Sequence, residues 1–164
     1  MNDPLTPAAI LTTLKTSLEA YLAPKKGKLF LARDPFDALS LLAESPAGFR
    51  VILHWAGDSP MGDDGAEDGV VLAHVELILS HNVGLTLVKG ANLITARAGQ
   101  QPLYELVSQV RAHLRAIEWP DEVSFGSFFY RGCESVFTPD GVPLDAYKLR
   151  FDLLHSLPVH EDAT

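Results

Sequence analysis

Few side chains in this sequence could do covalent chemistry. Cys133, the only cysteine, lies in the stretch Arg131-Gly132-Cys133-Glu134-Ser135, inside a strand-like run. A thiol becomes a nucleophile when a neighbouring base or a helix N-terminus lowers its pKa. No helix pattern follows Cys133, so it reads as a buried packing thiol. Ser135 lacks the strand–turn–helix elbow that exposes a hydrolase serine. Neither G-x-x-x-x-G-K nor a G-x-G-x-x-G after a strand occurs, so no phosphate cradle is encoded.

Metal chemistry has three candidates. His74 and Glu76 are two apart in a strand pattern and share a face. His54 lies in the neighbouring strand pattern, on the face opposite Trp55. Three such groups could gather around zinc. An H-x-E at the head of a zinc-deaminase site needs a P-C-x-x-C further on, which a single cysteine cannot supply. His54, His74 and Glu76 are therefore expected on the polar side of a sheet, with no metal and no cofactor. Asp58, Asp63, Asp64, Glu67 and Asp68 cluster with four glycines between Gly57 and Gly69. Their spacing lacks the alternating ligands and closing glutamate of an EF-hand, so the stretch reads as a solvated loop. His113 is expected on the outer side of a helix, and His155 and His160 near a frayed end, none with a partner.

The elements that must hold these residues follow from composition and period. The chain has 164 residues, 47% of them apolar, and a net charge of −8. It is long enough to bury one sizeable core without disulfide or metal, and too acidic for a phosphate-tracking nucleic-acid binder. One cysteine fits folding in a reducing compartment. No apolar run reaches the roughly 18 residues of a membrane span. The N-terminal stretch has an acid where an export signal needs bases, and reads as a helix.

Thr6-Pro7 is a helix start, followed by Leu11, Leu14, Leu18 and Leu22 on one stripe and stopped by Pro24 and Gly27. Lys28–Ala32 is a short strand or connector. Asp34-Pro35 opens a second short helix, 35–45. The period then becomes two. Phe49, Val51, Leu53 and Trp55 share a face, as do Val71, Ala73, Val75, Leu77 and Leu79 on an antiparallel partner. Residues 82–101 read as a long loop carrying Lys89 and Arg97. From Pro102 a helix buries Leu103, Leu106, Val107, Val110, Leu114 and Ile117. Phe125–Phe137, bent at Gly126 or Gly132, pairs through the turn Thr138–Gly141 with a strand whose Tyr147, Leu149, Phe151 and Leu153 face one way and Lys148, Arg150 and Asp152 the other. The expected fold is α+β: one single domain over 1–164, core 6–157 and frayed tail 158–164. Its sheet is mainly antiparallel, with helices packed on one face.

Three segments carry a resemblance: Gly69–Asn82 (GVVLAHVELILSHN), Pro102–Leu114 (PLYELVSQVRAHL) and Phe128–Leu153, ending in the Tyr147, Leu149, Phe151 strand. In this order they resemble the tail terminator and tail completion proteins of long-tailed bacteriophages, including the branch in Mu-like prophages. The matching positions are Leu103, Tyr104, Leu106, Val110, Arg111, Leu114, Tyr147, Leu149 and Phe151, within about Thr6 to Leu157. The helix 35–45 and the acidic loop 57–69 are additions to that pattern.

The resemblance implies an α-β-β-α-β-β core and a ring, usually hexameric, at the head-proximal end of the tail tube. Such a ring is a virion structural protein, not an enzyme, assembled in the host cytoplasm. It ends tube polymerisation, joins the tail to the head completion or connector protein, and lets DNA pass without specific binding. Lys89, Arg97, Lys148 and Arg150 are the cations expected at its interfaces. The alternatives are an interaction or adaptor module, non-viral or from a secretion apparatus, and a small metal-dependent enzyme using His54, His74 and Glu76.

Overall fold

Helix starts lie where the cap signals place them. Thr6 Oγ1 accepts from the Ala9 N–H at 3.1 Å and Pro7 follows it, opening α1 (Pro7–Leu22). The Asp34 carboxylate accepts from the N–H groups of Phe36 and Asp37, at 2.9 Å each, and opens α2 (Pro35–Ala43). The bond from Asp37 is the main reason the Asp34 carboxyl titrates below its usual range. A hydroxyl cap such as that of Thr6 contributes about 1 kcal/mol. The remaining elements are β1 (Lys28–Ala32), β2 (Phe49–Pro60), β3 (Val70–Asn82), α3 (Leu103–Arg115), β4 (Phe128–Ser135) and β5 (Leu144–Ser156). The structure is a computed structural model and describes residues 6–43, 49–60, 70–82, 102–119, 128–136 and 144–156.

The five strands form one sheet in the order β1-β2-β3-β5-β4. The fold is α+β, as the alternation of periods implies. The β2–β3 and β4–β5 pairs are antiparallel, as expected. The sheet as a whole is mixed, because β1 pairs parallel with β2. Parallel neighbours need a crossover that lies over a face of the sheet. Here α2 is that crossover, and this corrects the expectation that all helices share one face.

One face, the helical face, packs against α1 and α3. Val51, Leu53, Ala73, Val75, Leu77, Leu79, Leu149, Phe151 and Leu153 meet Ile10, Leu14, Leu18 and Leu22 of α1 and Leu103, Leu106, Val110 and Leu114 of α3. The α1 stripe runs on an i, i+4 row from Ile10, and Leu11 sits only at its margin. Ile117 lies beyond the end of α3, which stops at Arg115, and packs partly against the core. Tyr104 of α3 and Tyr147 of β5 join hydroxyl to hydroxyl at 2.8 Å. That bond is the main cause pushing the Tyr147 phenol up to about 12.

Among the described residues the second face is covered only in part. Ala38 and Leu41 of α2 sit over Phe30, Ala32, Ile52, Ile78 and Ala146. Residues 49–54 of β2 are accordingly buried on both faces, whereas along 71–75 of β3 buried and half-buried residues alternate.

Two bulges set the phase of the strands. Ala56 is extra between Trp55 and Gly57, and Arg131 is extra between Tyr130 and Gly132. Both following glycines have positive φ, 107° and 148°, a conformation that side chains with Cβ resist. The expected loop at Gly57 is therefore corrected: β2 continues to Pro60 through its bulge. The bend expected at Gly126 or Gly132 falls at Gly132 among the described residues. The Thr138–Gly141 turn, the stretch 82–101 beyond Asn82, the acidic residues 63–68 and the tail 158–164 lie outside the described residues.

Candidate functional site

The uncovered part of the second face carries most of the chain's described charge pairs. Sheet register builds them. His54 stands across from Glu76, Glu76 across from Arg150, and Lys148 across from Glu134. His54 Nδ1 lies 3.3 Å from Glu76 Oε2, which accepts its N–H. Glu76 Oε1 faces Lys148 Nζ at 3.4 Å and Arg150 Nε at 3.5 Å. Glu134 Oε1 accepts from Lys148 Nζ at 2.9 Å and Arg150 Nη2 at 2.7 Å. The Lys148 hydrogen bond is the largest reason the Glu134 carboxyl titrates below its usual range, with the charges of Lys148 and Arg150 adding to it.

A second cluster lies one step along the strands. Ser59 Oγ is 3.0 Å from His74 Nε2, and His74 Nδ1 is 2.7 Å from Asp152 Oδ1. Arg131 holds the other oxygen of Asp152. Serine, histidine and aspartate thus follow one another in the order of a nucleophilic triad. A triad aspartate holds the imidazole in orientation and stabilises the imidazolium that forms. Here the half-exposed Arg131 guanidinium shares the Asp152 carboxylate with the His74 ring. The chain of bonds ties β2, β3, β5 and β4 together across the face.

The three metal candidates are separated by these bonds. His54 and Glu76 stay together, but His74 turns to Asp152 and Ser59. Among the described residues no group of three His, Cys, Asp or Glu side chains converges on a point that could hold a metal ion. Glu76, Glu134 and Asp152 instead meet Lys148, Arg150 and Arg131, a charge-balanced set. Lys148 and Arg150 are thus tied to acids of their own chain. Lys89 and Arg97 lie outside the described residues.

Beside the charge pairs a cavity of about 620 Å³ opens between α2 and the end of β4. Pro35, Ala38, Ala56, Ile78 and Val136 give it apolar walls, and His54, Glu76, Lys148 and Glu134 line it too, with Trp55 and Ser135. Ser135 is exposed at the edge of the sheet.

Cys133 is exposed, not buried. It occupies the edge strand, where Arg111 of α3 lies over the neighbouring Tyr130 ring, 5.0 Å from its centroid. Partial desolvation is the main cause raising its thiol pKa, and Arg111 only partly offsets it. Cys133 is thus a neutral thiol at pH 7, the opposite of an armed nucleophile. Alkylation by iodoacetamide is expected to climb about tenfold per pH unit through pH 8, because thiolate is the reacting form. It should level off only above the ordinary thiol value of 9.0. A plateau at pH 7 would show an activated thiol.

His113 is also reassigned. Its Nε2 meets Ser17 Oγ at 2.9 Å and its ring stacks on Tyr21 at 4.2 Å, so it bridges α3 to α1. His81 was not singled out by pattern, yet it is buried against Phe49 with its Nδ1 lacking a partner among the described residues. Burial holds its pKa below the usual imidazole value. His155 belongs to β5 by backbone, and His160 lies outside the described residues. No helix among the described residues is long and apolar enough to cross a membrane. No family model matches this chain, and no curated protein matches it.

Proposed function

We propose that this chain is a phage tail terminator: a ring-forming structural protein that caps the head-proximal end of a tail tube, stops tube growth and offers a surface to the head connector. The observation that carries the reading is the arrangement of elements. A leading helix, an antiparallel strand pair, a second helix and a terminal antiparallel hairpin follow in the order the resemblance implies, and both of those helices pack on one face of the sheet. The positions that carry the resemblance fall where such a core needs them. Leu103, Leu106, Val110 and Leu114 are the buried stripe of α3, and Leu149 and Phe151 lie under it on β5. Tyr104 and Tyr147 clamp the two elements together.

The second face supports a structural role over a catalytic one. Its acids and bases are spent on one another across four strands. A ring of acidic subunits would let duplex DNA slide through without gripping it, since like charge shortens residence.

The test is negative-stain microscopy and light scattering of the purified chain over a concentration series, alone and with the tube subunit of the same tail. Closed rings with a hole wide enough for duplex DNA are the expected result. A chain that stays monomeric under all of these conditions overturns the reading.

A further inference from the structure

A closed ring needs two different surfaces on each copy, one complementary to the other. The sheet has two ends. Among the described strands, β1 and β4 each have a neighbour on one side only. Exposed large apolar side chains concentrate at these ends. Leu31 of β1 is 47% exposed, Phe36 of α2 is 82% exposed and Phe129 of β4 is 45% exposed; the fourth described, Tyr104, is bonded to Tyr147.

Following the pairings, β1 runs with β2, against β3, with β5 and against β4. The two ends therefore run in opposite directions. A rotation about an axis along the strands preserves strand direction and the face that points inward. It would bring β4 of one copy beside β1 of the next as an antiparallel pair, with the sheet unflipped.

We propose that copies of this chain join head to tail through this junction, with β1 and α2 of one copy seated on the β4 edge of the next. The assignment rests on the ring reading and says which surfaces close the ring. Each face then gains a contact. On the second face, α2 brings Phe36 toward Phe129, which shares that face because it pairs with Asp152. On the helical face, Leu31 (paired with Leu53) comes toward Cys133 (paired with Leu149). Backbone groups left open on both edges would pair, which is the usual chemistry of strand addition.

The exposed Cys133 makes the junction directly testable. The variant Leu31→Cys places a second thiol on the same face of the opposite edge, and Leu29→Cys shifts it by one pair of residues. Lys28→Cys, exposed and on the other face, is the control. Mild oxidation followed by a non-reducing gel reads the result. A head-to-tail junction gives a ladder of covalent oligomers with Leu31→Cys or Leu29→Cys, ending at the copy number of the ring. The wild-type chain stops at dimers, and Lys28→Cys gives no ladder. Adding Phe36→Asp to the laddering variant should slow ladder formation at least about tenfold, the effect of losing one well-buried anchor.

Dimers alone, or a ladder only with Lys28→Cys, overturn the junction. If wild-type rings appear in the microscope and neither thiol variant ladders, the junction is wrong and the ring reading stands. If neither rings nor ladders form, both fall.

Discussion

Replacing Phe151 by alanine is expected to lower the unfolding free energy by about 3–5 kcal/mol, the range for removing a buried aromatic ring. Phe151 has no exposed surface and lies in the middle of β5, between β3 and β4. It faces α1 and α3 within the main core and sits 5.6 Å from the Tyr130 ring. The sheet register leaves no freedom to fill the gap. Val75 and Tyr130, its neighbours across β3 and β4, are held by ladders on either side. A residual cavity follows, and its cost adds to the lost transfer energy. For a urea slope near 2 kcal/mol/M, the midpoint should fall by about 2 M. Phe129→Ala on the same sheet is the comparison. Phe129 is nearly half exposed, so its removal should change the midpoint by only a few tenths of a molar. A similar shift for both would mean that the core does not centre on β5.

The reach of the sequence can be judged from these same strands. Period-two alternation locates the core side of β3 and β5 residue by residue, because one face packs against α1 and α3 and the other, among the described residues, meets only α2, over Ile78 and Ala146. It also placed Lys148, Arg150 and Asp152 on the opposite side. Three things escaped it, each for a physical reason. The parallel pairing of β1 leaves no local mark, since a five-residue strand carries little pattern and its partner lies beyond a helix. The bulges escaped because alternation is blind to an inserted residue. Counted as an unbroken strand, Ser59 falls on the face of Trp55; with Ala56 bulged out, it crosses over and meets His74. Counted as an unbroken strand, Tyr130 and Cys133 point to opposite sides; with Arg131 bulged out, they share one. Finally, residue type alone points to a buried Cys133, but its place on an edge strand leaves it exposed. The pairs His54–Glu76 and His74–Asp152 needed the cross-strand register, and that comes from turns and bulges as much as from hydrophobic pattern.

Glu76 is the residue whose loss should most disturb the second face. Its carboxylate is only 18% exposed and binds His54 through one oxygen and both Lys148 and Arg150 through the other. Glu76→Ala leaves the buried His54 Nδ1 without its acceptor and returns two cations to each other's field. Breaking a fully buried pair from one side costs about 3–5 kcal/mol. The partial exposure reduces this, and about 2–3 kcal/mol is expected by urea unfolding. The outer acid gives the contrast. Glu134 is half exposed and shares the same two cations, yet Glu134→Ala should cost clearly less than Glu76→Ala, and less still at high salt. The double variant Glu76→Ala/His54→Ala separates the two contributions at Glu76. If the cost comes mainly from stranding His54, removing both should recover part of it. If it comes from the cations, the double variant will be no more stable than Glu76→Ala. Equal costs at Glu76 and Glu134 would mean that the face is an ordinary solvated surface. A large, salt-insensitive cost at Glu76 would mean that these charges act as a rigid tie across β2, β3 and β5, holding β4 in the plane where a neighbouring copy would meet it.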